Sequence, residues 1–330
     1  MGKLYAISDL HISHKSNHEA LYLLPPHPED TLIIAGDIGE KLEHLHTTFA
    51  LTTKLFKQVF WVPGNHELYT LPHAAGVAHE DNALSPTSPA SAQVPVPDNL
   101  RGEMKYLECV KVANDYGVIT PEDEFVTWHS DDTPNAIKAL ICPMFLLYDY
   151  SFRPDDVTRE NALAWAQEHN IMATDEALLH PDPYETRDAW CDALLAKTEQ
   201  RLQSAMSKVD AETKVVLINH WPLREDLVTI PSIPRFSLWC GTKRTEDWHT
   251  RFKADVVITG HLHVRRTDWR NGVRFEEVSL GYPRQWESAR ERGKGVEQMM
   301  RQVLPNPYDD GEDVEFAGLG ERKTIWRMHG

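Results

Sequence analysis

Five times along this chain a short run of β-forming residues ends in a fragment built from Asp, His or Asn. Leu4 to Ser8 leads into Asp9-Leu10-His11, and Thr31 to Ala35 into Gly36-Asp37. Val59 to Val62 leads into Gly64-Asn65-His66-Glu67, Val215 to Ile218 into Asn219-His220, and Val256 to Thr259 into Gly260-His261-Leu262-His263. If the runs are neighbouring strands of one sheet, their carboxyl ends carry these side chains to a common edge, which is where open α/β sheets place ligands.

The residue types at that edge suit two divalent cations. Two ions about 3.5 to 4 Å apart hold a phosphoryl group between them and turn a bridging water into hydroxide near neutral pH. A carboxylate bridges such a pair, while neutral imidazoles and an amide oxygen complete the shells without cancelling the charge. On this expectation Asp9, His11 and His263 hold one ion, Asn65, His220 and His261 the other, and Asp37 is shared. The set contains no thiolate, which points to Mn, Fe, Zn or Mg without choosing among them.

Taken in order, Asp-x-His, Gly-Asp, Gly-Asn-His-Glu, a later His and Gly-His-x-His, the fragments resemble the signature of the calcineurin-like metallophosphoesterases. The resemblance runs from Met1 to about Gln285, and the stretch from Leu68 to Asp210 carries no motif. It implies an α/β fold, a layered β-sandwich flanked by helices, with the dinuclear site at the strand carboxyl ends. The activity it implies is hydrolysis of a phosphomonoester or phosphodiester of a small organic molecule, by attack of a metal-bridging hydroxide. His66 is similar to the histidine that protonates the leaving oxygen, a task that suits an imidazole near pH 7.

Relatives with a longer second motif, Gly-Asp-x-x-Asp-Arg-Gly, orient that histidine with the second Asp and touch phosphate with the Arg. Here Glu40 and Lys41 stand at those positions. Glu40 is therefore expected to orient His66, and Lys41 to contact substrate as a point charge in place of a fork. The competing expectation is that both residues simply open the following helix. Pro63 replaces the Arg of protein Ser/Thr phosphatases, which argues against that class. The alternative from another class is a non-catalytic scaffold on the same fold; it requires lost ligands, and all seven expected ligands and His66 are present.

A chain of 330 residues is long enough for one large domain or two. Motif strands spread from Leu4 to Thr259 around one site favour a single domain over 1–330. With 34 basic and 50 acidic residues the net charge is −16, which repels nucleic acid at long range. Cys109, Cys142, Cys191 and Cys240 form no Cys-x-x-Cys and read as free thiols in a reducing compartment. No apolar run approaches the roughly 20 residues of a membrane span, and the first ten residues are already strand and motif. The expected location is the cytoplasm, away from membranes.

Leu42, Leu45, Phe49, Thr52 and Phe56 recur at helical spacing, and Asn17 is placed to cap a helix carrying Leu21, giving βαβαβ through Val62. Residues 71–100 turn to Pro, Ala, Ser and His, the composition of a surface loop. Phe125 to Trp128 and Ile137 to Cys142 read as a hairpin. Two helices are expected in 148–210, Arg159 to His169 and Arg187 to Met206, separated by a loop at 175–183. The second should bury Trp190, Leu194, Thr198, Leu202 and Ala205. This segment is either a helical cap over the metal edge, presenting Tyr150, Phe152 and Arg153, or a helical pair on the flank.

Trp221, Trp239, Trp248 and Trp269 suit either a stacked base or a core. Arg224 and Arg235, close in sequence to His220, are candidate phosphate grips. Arg265 to Trp269 and Val273 to Val278 flank Asn271-Gly272, a hairpin turn. Beyond the second of these strands, Tyr282 and Arg284 are the expected substrate contacts. His14 follows the first motif by three residues, and from Glu287 onward the chain offers no recognisable chemistry.

Overall fold

Alternating apolar residues on the motif strands face two separate cores. Leu4, Ala6, Ile33, Ala35, Phe60 and Val62 share one core with Ala139, Ile141, Val216, Ile218, Val256 and Ile258. Ile7, Leu32, Ile34, Val59 and Trp61 belong to the other, with Leu42, Leu45 and Phe49. Two apolar faces on one strand are what a sheet covered on both sides requires.

The computed structural model describes residues 1–72, 100–308 and 323–327, which hold eleven strands. In chain order they are β1 (Leu4–Ile7), β2 (His27–Ile34), β3 (Phe56–Trp61), β4 (Val126–His129), β5 (Lys138–Pro143), β6 (Lys214–Ile218), β7 (Val256–Thr259), β8 (Arg266–Arg270), β9 (Val273–Glu277), β10 (Arg301–Leu304) and β11 (Lys323–Trp326). One sheet has the order β10-β1-β2-β3, with β1, β2 and β3 parallel and β10 antiparallel to β1. The other has the order β11-β8-β9-β7-β6-β5-β4. Within it β5, β6, β7 and β9 are parallel, while β4–β5 and β8–β9 are antiparallel hairpins. The expected layered β-sandwich flanked by helices is the observed architecture.

One expectation changes. The five motif strands are not neighbours in one sheet: β1, β2 and β3 lie in the first, β6 and β7 in the second. Their carboxyl ends still meet, because backbone bonds cross between the sheets at that edge. Ser8 N donates to Val278 O at 3.1 Å, Leu280 N to Ser8 O at 2.8 Å, and Gly281 N to Asp9 O at 3.0 Å.

Local expectations fare unevenly. Helix Leu42–Leu55 buries Leu42, Leu45, Phe49 and Thr52, but Phe56 is extended and opens β3. Asn17 is no cap: it lies buried inside helix Lys15–Leu21, whose N-cap is His14. Its amide donates to Leu10 O and Gly281 O and accepts from Trp286 Nε1, tying the first motif loop to the 281–286 loop. Helix Arg187–Met206 forms with Trp190, Leu194, Thr198 and Leu202 buried and Ala205 partly so. Its partner is shorter, Ala162–Gln167, and the expected loop at 175–183 opens with a helical turn, Asp175–Leu178. The 71–100 loop lies outside the described residues except at 71, 72 and 100.

The stretch after Glu287 supplies a strand to each sheet, β10 and β11. Trp221, Trp239, Trp248 and Trp269 are all buried, so they belong to the core. Asn271 and Gly272 have φ of 54° and 78° between Arg270 and Val273, the backbone that a two-residue hairpin turn needs. Among the described residues no helix is long and apolar enough to cross a membrane.

Candidate metal centre

The loops that follow the motif strands are folded tightly and under backbone strain. Asp9, His11, Asp37, His261 and His263 hold φ of 52°, 41°, 55°, 71° and 54°. For non-glycine residues such conformations cost about 1 to 3 kcal/mol each, and they cluster where function demands them. The motif glycines make the close approach possible. A Cβ on Gly36 would sit 2.6 Å from His220 Nδ1, and one on Gly64 would overlap Asp37 Oδ1.

Two sets of donor atoms converge there. Asp9, His11, Asp37 and His263 bring a ligand atom each within 4.8 Å of one another. His263 Nε2 is 2.9 Å from Asp9 Oδ1 and 3.2 Å from His11 Nε2. In the second set, Asn65 Oδ1 lies 3.3 Å from His220 Nε2 and 3.1 Å from His261 Nδ1. Asp37 Oδ2 stands between the sets, 4.0 Å from His11 Nε2 and 3.5 Å from His220 Nε2. Burial, with the neighbouring histidines, holds His11 and His261 well below the ordinary imidazole range, so both are neutral. Neutral imidazoles, carboxylates and an amide oxygen are a donor set for borderline divalent ions, and His261 Nε2 is buried without a hydrogen-bond partner.

Around these atoms a ring of supporting bonds fixes orientation, as metal sites require. His220 Nδ1 is 2.8 Å from Ala35 O and His263 Nδ1 2.8 Å from Gln285 Oε1, which turns each Nε2 inward. Ser8 and Ser279 hydroxyls donate to Asp9 Oδ2 at 2.5 and 2.7 Å. The Glu67 carboxylate accepts from the backbone N–H groups of Asp37, Ile38 and Gly64, clamping the second motif loop to the third. Burial, reinforced by Asp37, pushes Glu67 up to about 7. Asn65 Nδ2 is directed away from the centre, toward Tyr69 Oη and Asp175 Oδ1.

His66 lies beside both sets. Its ring is 4.6 Å from that of His11, and Nε2 is 3.9 Å from Asp37 Oδ2. Nδ1 bonds Glu40 Oε1 at 2.9 Å. Burial pulls His66 down, but Asp37 and the Glu40 carboxylate outweigh it and bring it to about 9. Burial likewise opposes ionisation of Glu40, which its bond with His66 nevertheless holds at about 2.

The sequence model of the calcineurin-like phosphoesterases matches residues 2–265. The chain belongs to that family. It is similar to an acyl-carrier-protein phosphodiesterase of Mycobacterium tuberculosis, PptH, at 42% identity over 96% of this chain and 87% of the relative. The crystal structure of the phosphopantetheinyl hydrolase PptH from the same organism superposes with a TM-score of 0.75 at 41% identity, covering 93% of this chain and 97% of that one. As a calcineurin-like phosphoesterase the chain is a metal-dependent hydrolase of phosphate esters, and its two donor sets fit the divalent ions this family uses. The scaffold alternative is thereby set aside.

Of the outer residues expected in this phosphoesterase, only some reach the centre. Tyr282 does: its ring stacks on His11 at 4.4 Å and meets His14 and His263 edge-on. Arg284 is exposed two residues on, while Lys41 is exposed and forms the N-cap of helix Leu42–Leu55. The Arg224 guanidinium is held by Asp226 and the Glu246 carbonyl. Arg235 is held by Glu168 and the Trp165 carbonyl. Tyr150 and Phe152 are buried, and Arg153 bonds the Tyr150 and Val157 carbonyls, so the three form no substrate-facing surface.

Sequence reasoning missed Tyr69, Asp175 and Gln285. Gln285 adjoins the Tyr282 and Arg284 pair that was singled out; Asp175 gave no signal, standing 110 residues from Asn65.

Proposed function

We propose that this phosphoesterase is a phosphodiesterase that removes a phosphopantetheinyl group from an acyl-carrier protein. The observation that carries this is 42% identity over 96% of the chain to the acyl-carrier-protein phosphodiesterase PptH. It replaces the small organic phosphate ester expected from sequence with a protein-borne phosphodiester. Asp9, His11 and His263 would hold one ion, Asn65, His220 and His261 the other, and Asp37 would serve both. When bound, two such cations polarise the phosphoryl oxygens and supply a nucleophile from water near neutral pH.

The remaining work falls to the chain. His66, with Nδ1 on Glu40, presents Nε2 to the leaving oxygen and gives it a proton. Glu40 fixes the ring and favours its charged form. Tyr282, stacked on His11, borders the side where the organic part of the diester is bound, and Arg284 follows it two residues on, exposed. With all four cysteines free and buried, a reducing cytoplasm is the location we assign.

The test is to incubate the Mn-loaded protein with a phosphopantetheinylated carrier protein and follow the carrier by mass spectrometry, alongside a panel of small phosphate esters. Loss of the prosthetic group from the carrier is the expected result. Turnover of small esters with the carrier untouched would return the substrate to the small-molecule class.

A further inference from the structure

Asn65 carries a nitrogen and an oxygen on one rotor, and only the oxygen can meet a cation. Something must choose the end that faces His220 and His261. Two groups make the choice. Asn65 Nδ2 donates to Tyr69 Oη at 2.8 Å and to Asp175 Oδ1 at 3.1 Å, and Tyr69 Oη donates to the same Asp175 oxygen at 2.7 Å. An ionised carboxylate only accepts, so a flipped amide would set oxygen against oxygen in a site where Asp175 is 2% exposed.

Asp175 is in turn held by its own segment. Arg187 donates to Asp175 O at 2.6 Å, to Leu179 O at 2.8 Å and to Glu176 Oε2 at 2.8 Å. Glu176 Oε1 accepts from Tyr150 Oη and Trp239 Nε1. Leu179 pairs with Tyr69 through an isolated antiparallel bridge, which fixes the Tyr69 backbone against the segment that carries Asp175.

We propose that Asp175 is a positioning residue: together with Tyr69 it locks the Asn65 amide with Oδ1 toward the second ion. Through this contact the 148–210 segment acts on the metal centre. The proposal rests on the ligand assignment made above.

The experiment titrates metal-free protein with Mn²⁺ in a calorimeter, without substrate, and reads stoichiometry and the affinity of each site. Asp175→Leu, similar in size and unable to accept, should weaken the second ion about 10-fold or more and leave the first within about twofold. The deciding comparison repeats the substitution in an Asn65→Asp background, where both ends of the ligand are oxygens and no orientation remains to be fixed. There Asp175→Leu should leave the second affinity unchanged or tighten it, because it removes one of two facing carboxylates. Equal weakening in both backgrounds would mean that Asp175 only supports the fold, and would overturn the proposal; so would two sites of normal affinity in Asp175→Leu alone. If Asp175→Leu does not fold, Asp175→Asn takes its place. Its amide presents NH₂ as readily as oxygen, so a smaller loss with the same background dependence is expected, and unchanged affinity overturns the idea. Wild-type protein that binds fewer than two ions overturns the ligand assignment itself and the proposal with it, a result distinct from two ions held equally well by every variant.

Discussion

His66 is balanced between two carboxylates with different tasks. Glu40 bonds its Nδ1, which leaves Nε2 as the nitrogen free to meet a leaving oxygen, while Asp37 lies 3.9 Å from that Nε2 and also faces the donor sets. An acid placed in this way matters most when the leaving group is poor. His66→Ala should therefore keep two equivalents of metal while turnover of alkyl esters falls by roughly 100-fold or more, the usual scale for losing a general acid. Aryl esters with acidic leaving groups should lose much less. Metal analysis combined with rates on both ester types checks this, and equal losses on both would remove His66 from the acid role. The pairing with Glu40 was legible in the chain only because a relative's motif has a carboxylate at the same spacing. Asp175 was not legible, since nothing in a run of Asp-Glu-Ala-Leu says that a buried amide 110 positions away needs an acceptor.

At the level of strands, what could be read was what is local. Each motif run became a strand or its end, because β-branched and aromatic residues followed by glycine specify strand and turn within a few positions. Division into two sheets was not readable, because pairing partners are distant in sequence. The last two strands, β10 and β11, were missed because the stretch after Glu287 shows only a short apolar cluster followed by acidic, Gly-rich sequence. β8 and β9 were read from the Asn271-Gly272 turn between them, although Arg266, Asp268, Arg270, Arg274 and Glu276 are all buried there, so polar residues stand where hydrophobic alternation would be sought. These charges are paired. Glu276 accepts from Arg301 at 2.9 Å and from Arg327, and lies 3.2 Å from Arg274, fastening β10 and the end of β11 to the second sheet.

Burial works against ionisation of Glu276, but the arginines outweigh it and hold its carboxyl below the usual range. A depressed carboxylate contributes stability that is complete above its unfolded value, near 4.3, and is lost as pH falls through the folded one. Glu276→Gln should cost about 3 to 5 kcal/mol by leaving buried guanidinium groups without their counter-charge. Denaturant melts at pH 7 measure that loss. The gap between wild type and variant should narrow when the melts are repeated near pH 3, and a gap that is the same at both pH values would show that the ion cluster is not its source.

For the molecule as a whole, the metal centre is a place where the fold is stressed. Asp9, Asp37 and Glu67 are 0%, 2% and 1% exposed, and five of the expected ligands hold left-handed backbone. Divalent ions that bind the folded chain and not the unfolded one offset this stress. At a free concentration 100 times the dissociation constant, one such ion adds about 2.7 kcal/mol of stability. Removing metal with a chelator should therefore lower the melting temperature by roughly 5 °C or more, and adding Mn²⁺ should restore it. Asp37→Asn tests the shared ligand. The amide keeps an oxygen for the backbone N–H of His66, bonded to Asp37 Oδ1 at 2.9 Å, and removes a charge that both pushes Glu67 up and helps keep His66 charged, so its effects on the metal-free protein offset one another. The variant should lose most of the melting-temperature increment on adding Mn²⁺ and hydrolyse no ester at a measurable rate. Calorimetric scans of both proteins with and without metal decide the matter: a variant that keeps the full metal increment would mean that Asp37 is not the shared ligand.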